Sequence, residues 1–315
     1  MLTHPATIGR LAPSPTGLLH IGHARTFLLA WWQARARGGR VLLRIEDLDR
    51  ARVKPGMTDA CLRDLEWLGL DWDGEPRLQS QDTAAMSAAL EQLLGAGQAY
   101  LCGCSRRDIA RALSAPHAGD GELRYPGTCR DRGLSALGAQ GRDLAVRLRV
   151  AEGEVELVDG VAGRFRADVQ REVGDFLLAR RDGFFAYQLA VVVDDARMGV
   201  NEVVRGDDLL ASTVRQWHLQ CALGLPHPRW YHVPLVLDEH GARLAKRRGD
   251  LALGALRERG VDPRRLVAWT ARGAGLECPE PVTAREIAAC FDLARLPRDP
   301  VRFGPAELDS MLRSG

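Results

Sequence analysis

Across 315 residues the chain is 46% hydrophobic and 27% charged, with a net charge of +2. That balance describes a globular protein without low-complexity tracts, and it excludes a global basic field, so any nucleic-acid footprint must be a local patch. No apolar run approaches the roughly 20 residues of a membrane span. The start, MLTHPATIGR, lacks the basic and apolar regions of a secretory signal. Seven cysteines, an odd number scattered largely through helix-like segments, fit free thiols in a reducing cytoplasm better than a disulfide framework.

In chain order, short apolar strands alternate with amphipathic helices. TIGRLA reads as a strand, and HARTFLLAWWQARARGG as a helix closed by Gly38 and Gly39. RVLLRIED is a second, largely apolar strand of the kind buried in a parallel sheet. Helices are expected at about Gly56–Leu68 and Thr83–Leu94. The pattern breaks over Ala99–Gly141, where Cys, Gly, Arg and Pro dominate, which marks an insertion. LAVRLRV and GEVELVDGVAGRFRADV alternate as antiparallel strands do. AYQLAVVVDD and NEVVRG read as returning parallel strands, followed by a helix at Leu209–Leu223 and the strand HVPLVL. A polar loop spans Asp238–Asp250, and short helices broken by Pro and Gly complete the chain. Strand-helix-strand alternation with a Gly-rich first turn predicts an α/β doubly wound sheet.

Three groups of residues carry chemistry. In LAPSPTGLLHIGHAR, a Pro- and Gly-shaped loop leaves a strand and HIGH enters a helix. A helix start offers unpaired N–H groups and the positive end of the dipole, which suits a phosphate. His20 and His23 project from one face of that first turn, positioned to donate to a phosphate whose charge grows in a transition state. Gly22 clears room for a nucleotide base. The second group is RLAKRRGD, where Lys246 is one of only two lysines, with Lys54, in a chain that otherwise uses arginine. A compact ammonium in a polar loop suits phosphates. The third is Cys102, Cys104 and Cys129, gathered in the irregular insertion as poor core formers and good zinc ligands. Among conventional ligand types nearby, His117 is a candidate for the fourth position.

The first two groups, in this order, resemble the HIGH and KMSKS-type motifs of class I aminoacyl-tRNA synthetases. The flanking stretches GRLAPSPTGLLHIGHAR, LLRIEDLD, YQLAVVVDDARMGVNEVVRGDDLLASTVRQ and LDEHGARLAKR are similar to the glutamyl-tRNA synthetase catalytic domain over roughly residues 8–250. The resemblance implies a Rossmann-like parallel sheet carrying a zinc-binding insertion and followed by a short helical C-terminal region. It implies glutamate binding by Arg10, Leu11, Ala12, Pro13 and Ser14 at a strand end, and by Glu46, Tyr187 and Arg205. ATP binding falls to His20, Gly22, His23 and Lys246, with His20, His23 and Lys246 as the catalytic set. Arg10 and Arg205 can each fork onto a carboxylate, with the assignment open, while Glu46 can hold the ammonium. One departure stands out: the family loop has a hydroxyl before its second lysine, and here the tetrad is Arg243-Leu244-Ala245-Lys246.

C-x-C followed by Y-x-x-x-C resembles the zinc site of the glutamyl-queuosine tRNA(Asp) synthetases, a stand-alone branch of this family. That likeness implies one structural zinc on Cys102, Cys104, Tyr125 and Cys129, with His117 in reserve. The expected organisation is a catalytic domain over 1–249, containing the insertion at 96–140, then a stem-like helical region over 250–315 and no anticodon-binding domain. The implied ligase-type reaction activates L-glutamate with ATP and Mg²⁺ to glutamyl-adenylate, then transfers glutamate to queuosine in the anticodon loop of tRNA(Asp). Arg106, Arg107, Arg111, Arg124, Arg130 and Arg132 make a local patch for RNA phosphates. A monomer is the default expectation. The alternatives are a truncated glutamyl-tRNA synthetase charging tRNA(Glu), and an inactive synthetase-like RNA-binding protein.

Overall fold

The computed structural model describes residues 6–112, 124–132, 144–244 and 249–312. Strand β1 (Ile8–Leu11) feeds helix α1 (Ile21–Arg35), which returns the chain to β2 (Arg40–Ile45), paired in parallel with β1 from Ile8↔Arg40 to Leu11↔Leu43. Glycine closes this crossover because backbones meet there: a Cβ on Gly39 would stand 2.5 Å from Thr7 O. Helix α2 (Met57–Trp67) leads to the two-residue β3 (Arg77–Leu78), which extends the sheet in parallel beside β2.

Helix α3 (Ala84–Gly95) leads to β4 (Ala99–Cys102), with α4 (Arg106–Ala112) following. Strand β5 (Ala145–Leu148) pairs antiparallel with β4. The hairpin β6 (Val155–Asp159) and β7 (Gly163–Ala167) and a single turn α5 (Val169–Glu172) precede β8 (Leu177–Ala179), antiparallel to β5. The antiparallel reading of this region is what the chain adopts.

AYQLAVVVDD is not a strand. It forms helix α6 (Tyr187–Arg197), in which every residue from Gln188 to Asp195 is buried. A helix enclosed on all sides has no polar face, so its apolar run carries no 3.6-residue signature and mimics a buried strand. Strand β9 (Glu202–Gly206), helix α7 (Leu210–Leu223) and β10 (Arg229–Val233) follow, with β9 and β10 parallel. The two parallel sheets meet at their edges: Asn201 N donates to Ile8 O at 3.0 Å, and Ile8 N to Asn201 Oδ1 at 2.8 Å.

After β11 (Val236–Leu237) come α8 (Leu253–Glu258), α9 (Pro263–Gly273) and α10 (Ala284–Ala288). Asp262 caps α9 ahead of Pro263, and Thr283 with Glu286 forms a capping box on α10. The sequence reading missed β12 (Val301–Arg302), a two-residue strand parallel to β11, which precedes α11 (Pro305–Leu312). These helices pack into the core that holds α1: Trp32 is fully buried and its Nε1–H donates to Ala284 O at 2.9 Å. A second core, around Val146, Leu178, Leu189 and Val214, joins the β4–β5–β8 sheet to α6 and α7.

Candidate functional site

The carboxyl ends of β1, β2 and β9 open into a cleft of about 660 Å³, the expected ligand position in an open parallel sheet. Strand alternation decides who faces it. Arg10, Ala12 and Ser14 line the cleft, whereas Leu11 is fully buried in the main core and Pro13 is buried, its carbonyl accepting from Glu46 N at 3.0 Å. Of the expected Arg10–Ser14 contact strip, alternate residues therefore reach a ligand through their side chains. Glu46, Tyr187 and Arg205 complete that end of the cleft, and His20, Gly22 and His23 form the other.

The two histidines cap the helix they begin. His20 Nδ1 accepts from Gly22 N at 3.1 Å, and His20 N donates to His23 Nδ1 at 3.2 Å, a reciprocal capping box. Each neutral imidazole then carries its proton on Nε2, so the N–H not engaged in the cap is the one at the ring's outer end. Glycine at 22 makes this possible, since a Cβ there would crowd His20 Cε1 at 3.0 Å.

Charge is unevenly settled around the cleft. Arg44, fully buried, bonds Glu46 Oε1 at 3.1 Å and Asp195 Oδ1, and these carboxylates hold it protonated against the cost of burial. Ser14 Oγ donates to Glu46 Oε2 at 3.3 Å. Glu46 is thereby oriented from two sides while still lining the cleft. Arg10 Nη1 donates to Val204 O at 3.2 Å, with its Nε 3.5 Å from Asp195. Arg205 differs. It is 4% exposed, and among the described residues no carboxylate lies within ion-pairing distance. Its partners are His232 Nε2 (3.0 Å), Gln216 Oε1 (2.9 Å), Thr213 Oγ1 (2.8 Å) and, more distantly, Leu209 O (3.5 Å), with the Tyr187 side chain beside it. Burial pulls its pKa below the ordinary arginine value. A buried guanidinium at a cleft wall without a counter-ion is a place for an anion.

Arg44, Asp195 and His232 were not anticipated from the sequence. Arg44 had a usable signal, because it lies two residues before Glu46, which directly follows the strand's last residue, and so shares its face. Of the basic loop, Arg243 pairs with Asp208 and both line the cleft. Ala245, Lys246 and His117 lie outside the described residues. Arg130 is committed to Asp175 Oδ1 at 2.6 Å, whereas Arg106, Arg107, Arg124 and Arg132 are exposed.

A second cleft of about 570 Å³ shares Ser14, Glu46 and Tyr187 with the first. Its far wall carries Phe184, Phe185, Arg52 and Arg180. Two clefts joined by common side chains can bring two ligands into contact.

In the insertion, the thiols of Cys102, Cys104 and Cys129 lie within 4.8 Å of one another and could hold a metal ion. Tyr125 OH stands 3.3 Å from Cys102 Sγ and 3.7 Å from Cys104 Sγ, beside the 3.5 Å contact of Cys104 and Cys129. Arg147 stacks on the Tyr125 ring at 3.8 Å and donates to Cys102 Sγ, a cation suited to a cluster of thiolates. Burial pushes Cys104 up to about 11 and raises Tyr125; a bound cation opposes both effects, because ligands must be deprotonated. No helix among the described residues is long and apolar enough to cross a membrane.

Residues 7–309 match the family model of class I tRNA synthetases (E and Q), catalytic domain. The glutamyl-Q tRNA(Asp) synthetase of Nocardia farcinica is 50% identical over 93% of this chain and 91% of its own length. That of Symbiobacterium thermophilum is 46% identical over 98% of each. A glutamate tRNA ligase of Elizabethkingia meningosepticum, solved in complex with its amino acid, superposes with a TM-score of 0.85 at 26% identity, covering 98% of this chain and 69% of that one.

Proposed function

The chain belongs to the class I tRNA synthetases of the glutamate and glutamine type, and on that premise we propose that it joins glutamate, through glutamyl-adenylate, to queuosine in tRNA(Asp). The observation that carries the amino-acid assignment is Arg205, a buried cation facing the cleft with neutral partners and no carboxylate. A ligand with two carboxylates and an ammonium satisfies Arg205, Arg10 and Glu46 together, with Tyr187 alongside. Relatives bearing the glutamyl-Q tRNA(Asp) name at 50% and 46% identity support the choice of acceptor.

Two steps follow. ATP, entering as its Mg²⁺ complex, lies along the start of α1, where Gly22 admits the base and the Nε2–H groups of His20 and His23 meet the phosphates. A glutamate carboxylate oxygen attacks the α-phosphorus in line and pyrophosphate leaves. Histidine donors and helix N–H groups stabilise the charge that builds on the phosphoryl oxygens, and by the resemblance Lys246 contributes a point charge to the phosphates. A queuosine hydroxyl, brought through the second cleft, then attacks the activated carbonyl; AMP leaves with the bonding pair, and the hydroxyl proton passes to the departing phosphate or to solvent. Phe184 and Phe185 offer stacking surfaces for a base, and Arg52 offers a contact to RNA phosphates, whereas Arg180 would first have to leave Asp182, 2.5 Å away. The exposed arginines Arg106, Arg107, Arg124 and Arg132 extend that basic surface.

For the insertion, zinc is the metal whose chemistry suits this donor set. Zn–S bonds of about 2.3 Å in a tetrahedron place sulfurs about 3.8 Å apart, near the spacing already present. Cys102, Cys104, Cys129 and Tyr125 would hold it, and its role is to staple a segment poor in apolar residues. Cys102→Ser with Cys129→Ser is expected to lower zinc from about one per chain to near zero and to reduce the melting temperature, measured by elemental analysis and calorimetry. Zinc content unchanged by the double substitution would refute the ligand set.

Acceptor identity is read directly from label. With radiolabelled glutamate, tRNA(Asp) containing queuosine is expected to take up label, mapped by nuclease digestion to the anticodon loop, while tRNA(Glu) and queuosine-free tRNA(Asp) stay unlabelled. Label on tRNA(Glu) alone would instead make the chain a tRNA-charging enzyme.

A further inference from the structure

Arg205 and His232 are directly opposite residues of the parallel pair β9–β10, so their side chains leave the sheet on the same face as neighbours. His232 is 1% exposed, and its Nδ1 lies 2.7 Å from Asp159 Oδ2. A carboxylate only accepts, so Nδ1 carries the proton and Nε2 presents a lone pair. That lone pair receives the Arg205 Nε–H at 3.0 Å. Asp159 is in turn fixed by the hairpin it ends: its Oδ1 accepts from Val161 N at 2.9 Å, Ala162 N at 2.8 Å and His232 N at 3.0 Å. The hairpin corner is pressed onto β10, where Gly160 N donates to Trp230 O and a Cβ on Gly160 would overlap the Tyr231 ring at 2.2 Å. Three segments distant in sequence thus converge on one guanidinium.

We propose that Asp159 and His232 form a positioning pair that fixes Arg205 and makes the cleft select a carboxylate over a carboxamide. This deepens, and rests on, the glutamate reading of the cleft. Selection follows from counting acceptors at the Arg205 end. His232 Nε2, Gln216 Oε1 and Thr213 Oγ1 each already receive an N–H from Arg205, and Leu209 O lies 3.5 Å from its Nη2. With these acceptors turned onto Arg205 and the Tyr187 hydroxyl beside it, what the guanidinium itself offers a ligand is N–H donors. A carboxylate accepts them through both oxygens. A carboxamide offers one acceptor oxygen where the carboxylate offers two and turns its NH₂ toward a guanidinium N–H, and such an opposed buried donor is what discriminates strongly between isosteres. His232 does not touch the ligand in this arrangement; it determines which way the fork points.

Asp159→Asn tests the pair while nearly preserving shape. The amide oxygen still accepts from Val161 and Ala162, but an NH₂ now faces Nδ1. The imidazole must accept there and carry its proton on Nε2, N–H against the Arg205 N–H. In glutamate-dependent ATP–pyrophosphate exchange, the glutamate KM is expected to rise about tenfold or more, with kcat and the ATP KM held within about twofold. The preference for glutamate over glutamine, as a ratio of kcat/KM, is expected to fall by a similar factor. His232→Gln, which restores an acceptor oxygen toward Arg205, should recover glutamate KM and preference relative to His232→Leu; this comparison serves equally if Asp159→Asn fails to fold. A folded Asp159→Asn chain with parental KM and parental preference would overturn the positioning role, as would equal behaviour of the Gln and Leu variants. Absence of glutamate-dependent exchange in the parental chain would bring down the glutamate reading and this inference with it, so the two failures are distinguished by the parental arm.

Discussion

Arg205→Met is expected to raise the glutamate KM in ATP–pyrophosphate exchange by about 10²–10³-fold, the size of the loss when one partner of a buried charge pair is removed. The effect should fall on glutamate rather than ATP, because Arg205 stands at the opposite end of the cleft from the start of α1. Arg205→Lys is expected to recover little. An ammonium cannot bond His232, Thr213 and Gln216 while also presenting a fork to a carboxylate. Arg205→Met strands no carboxylate but leaves His232 Nε2, Gln216 Oε1 and Thr213 Oγ1 without their donor, so the melting temperature should fall by the cost of unpaired neutral acceptors, less than for a broken buried ion pair. Arg44 provides the contrast. Its removal would take the closest cation from both Asp195 and Glu46, leaving Asp195 with Arg10 at 3.5 Å and Glu46 with Ser14 Oγ. A normal glutamate KM for a folded Arg205→Met chain would show that the side-chain carboxylate is bound elsewhere.

The second large effect is expected on turnover. His20→Ala and His23→Ala should each lower kcat for exchange by about 10²–10³-fold, as when a preorganised donor to a developing oxyanion is lost, while the glutamate KM changes little. His20 also caps α1, so lost capping has to be separated from lost catalysis. His20→Asn does this, since asparagine is a good N-cap but carries no N–H at the position of Nε2. It should restore the melting temperature lost in His20→Ala without restoring kcat. Recovery of kcat by asparagine would reduce His20 to a cap.

Much of the site was legible because its parts are local. The Pro-Gly turn, the HIGH helix start and the strand RVLLRI announce themselves through period and turn chemistry, and β1, α1 and β2 follow them closely. The cysteines of the insertion were legible as a group because thiols in an irregular segment have few other uses. Helix α6 was misread because complete burial erases the amphipathic signature. β12 is two residues long and owes its existence to β11, whose paired residues lie 65 positions upstream, so no local signal exists for it. The setting of Arg205 was illegible for a related reason. Asp159 and His232 are 73 residues apart and become neighbours only through the β9–β10 register and the docked β6–β7 hairpin. A residue's type suggested a carboxylate ligand; only the fold revealed that the cation lacks a carboxylate of its own.

The central claim is that this cleft activates glutamate with ATP, and it is tested most directly by ATP–pyrophosphate exchange in the absence of RNA across a panel of amino acids. The account predicts exchange that depends on glutamate, is far weaker with glutamine, aspartate or no amino acid, and collapses in Arg205→Met. Exchange with glutamine at least equal to that with glutamate, or none with any amino acid at any enzyme concentration, would contradict it.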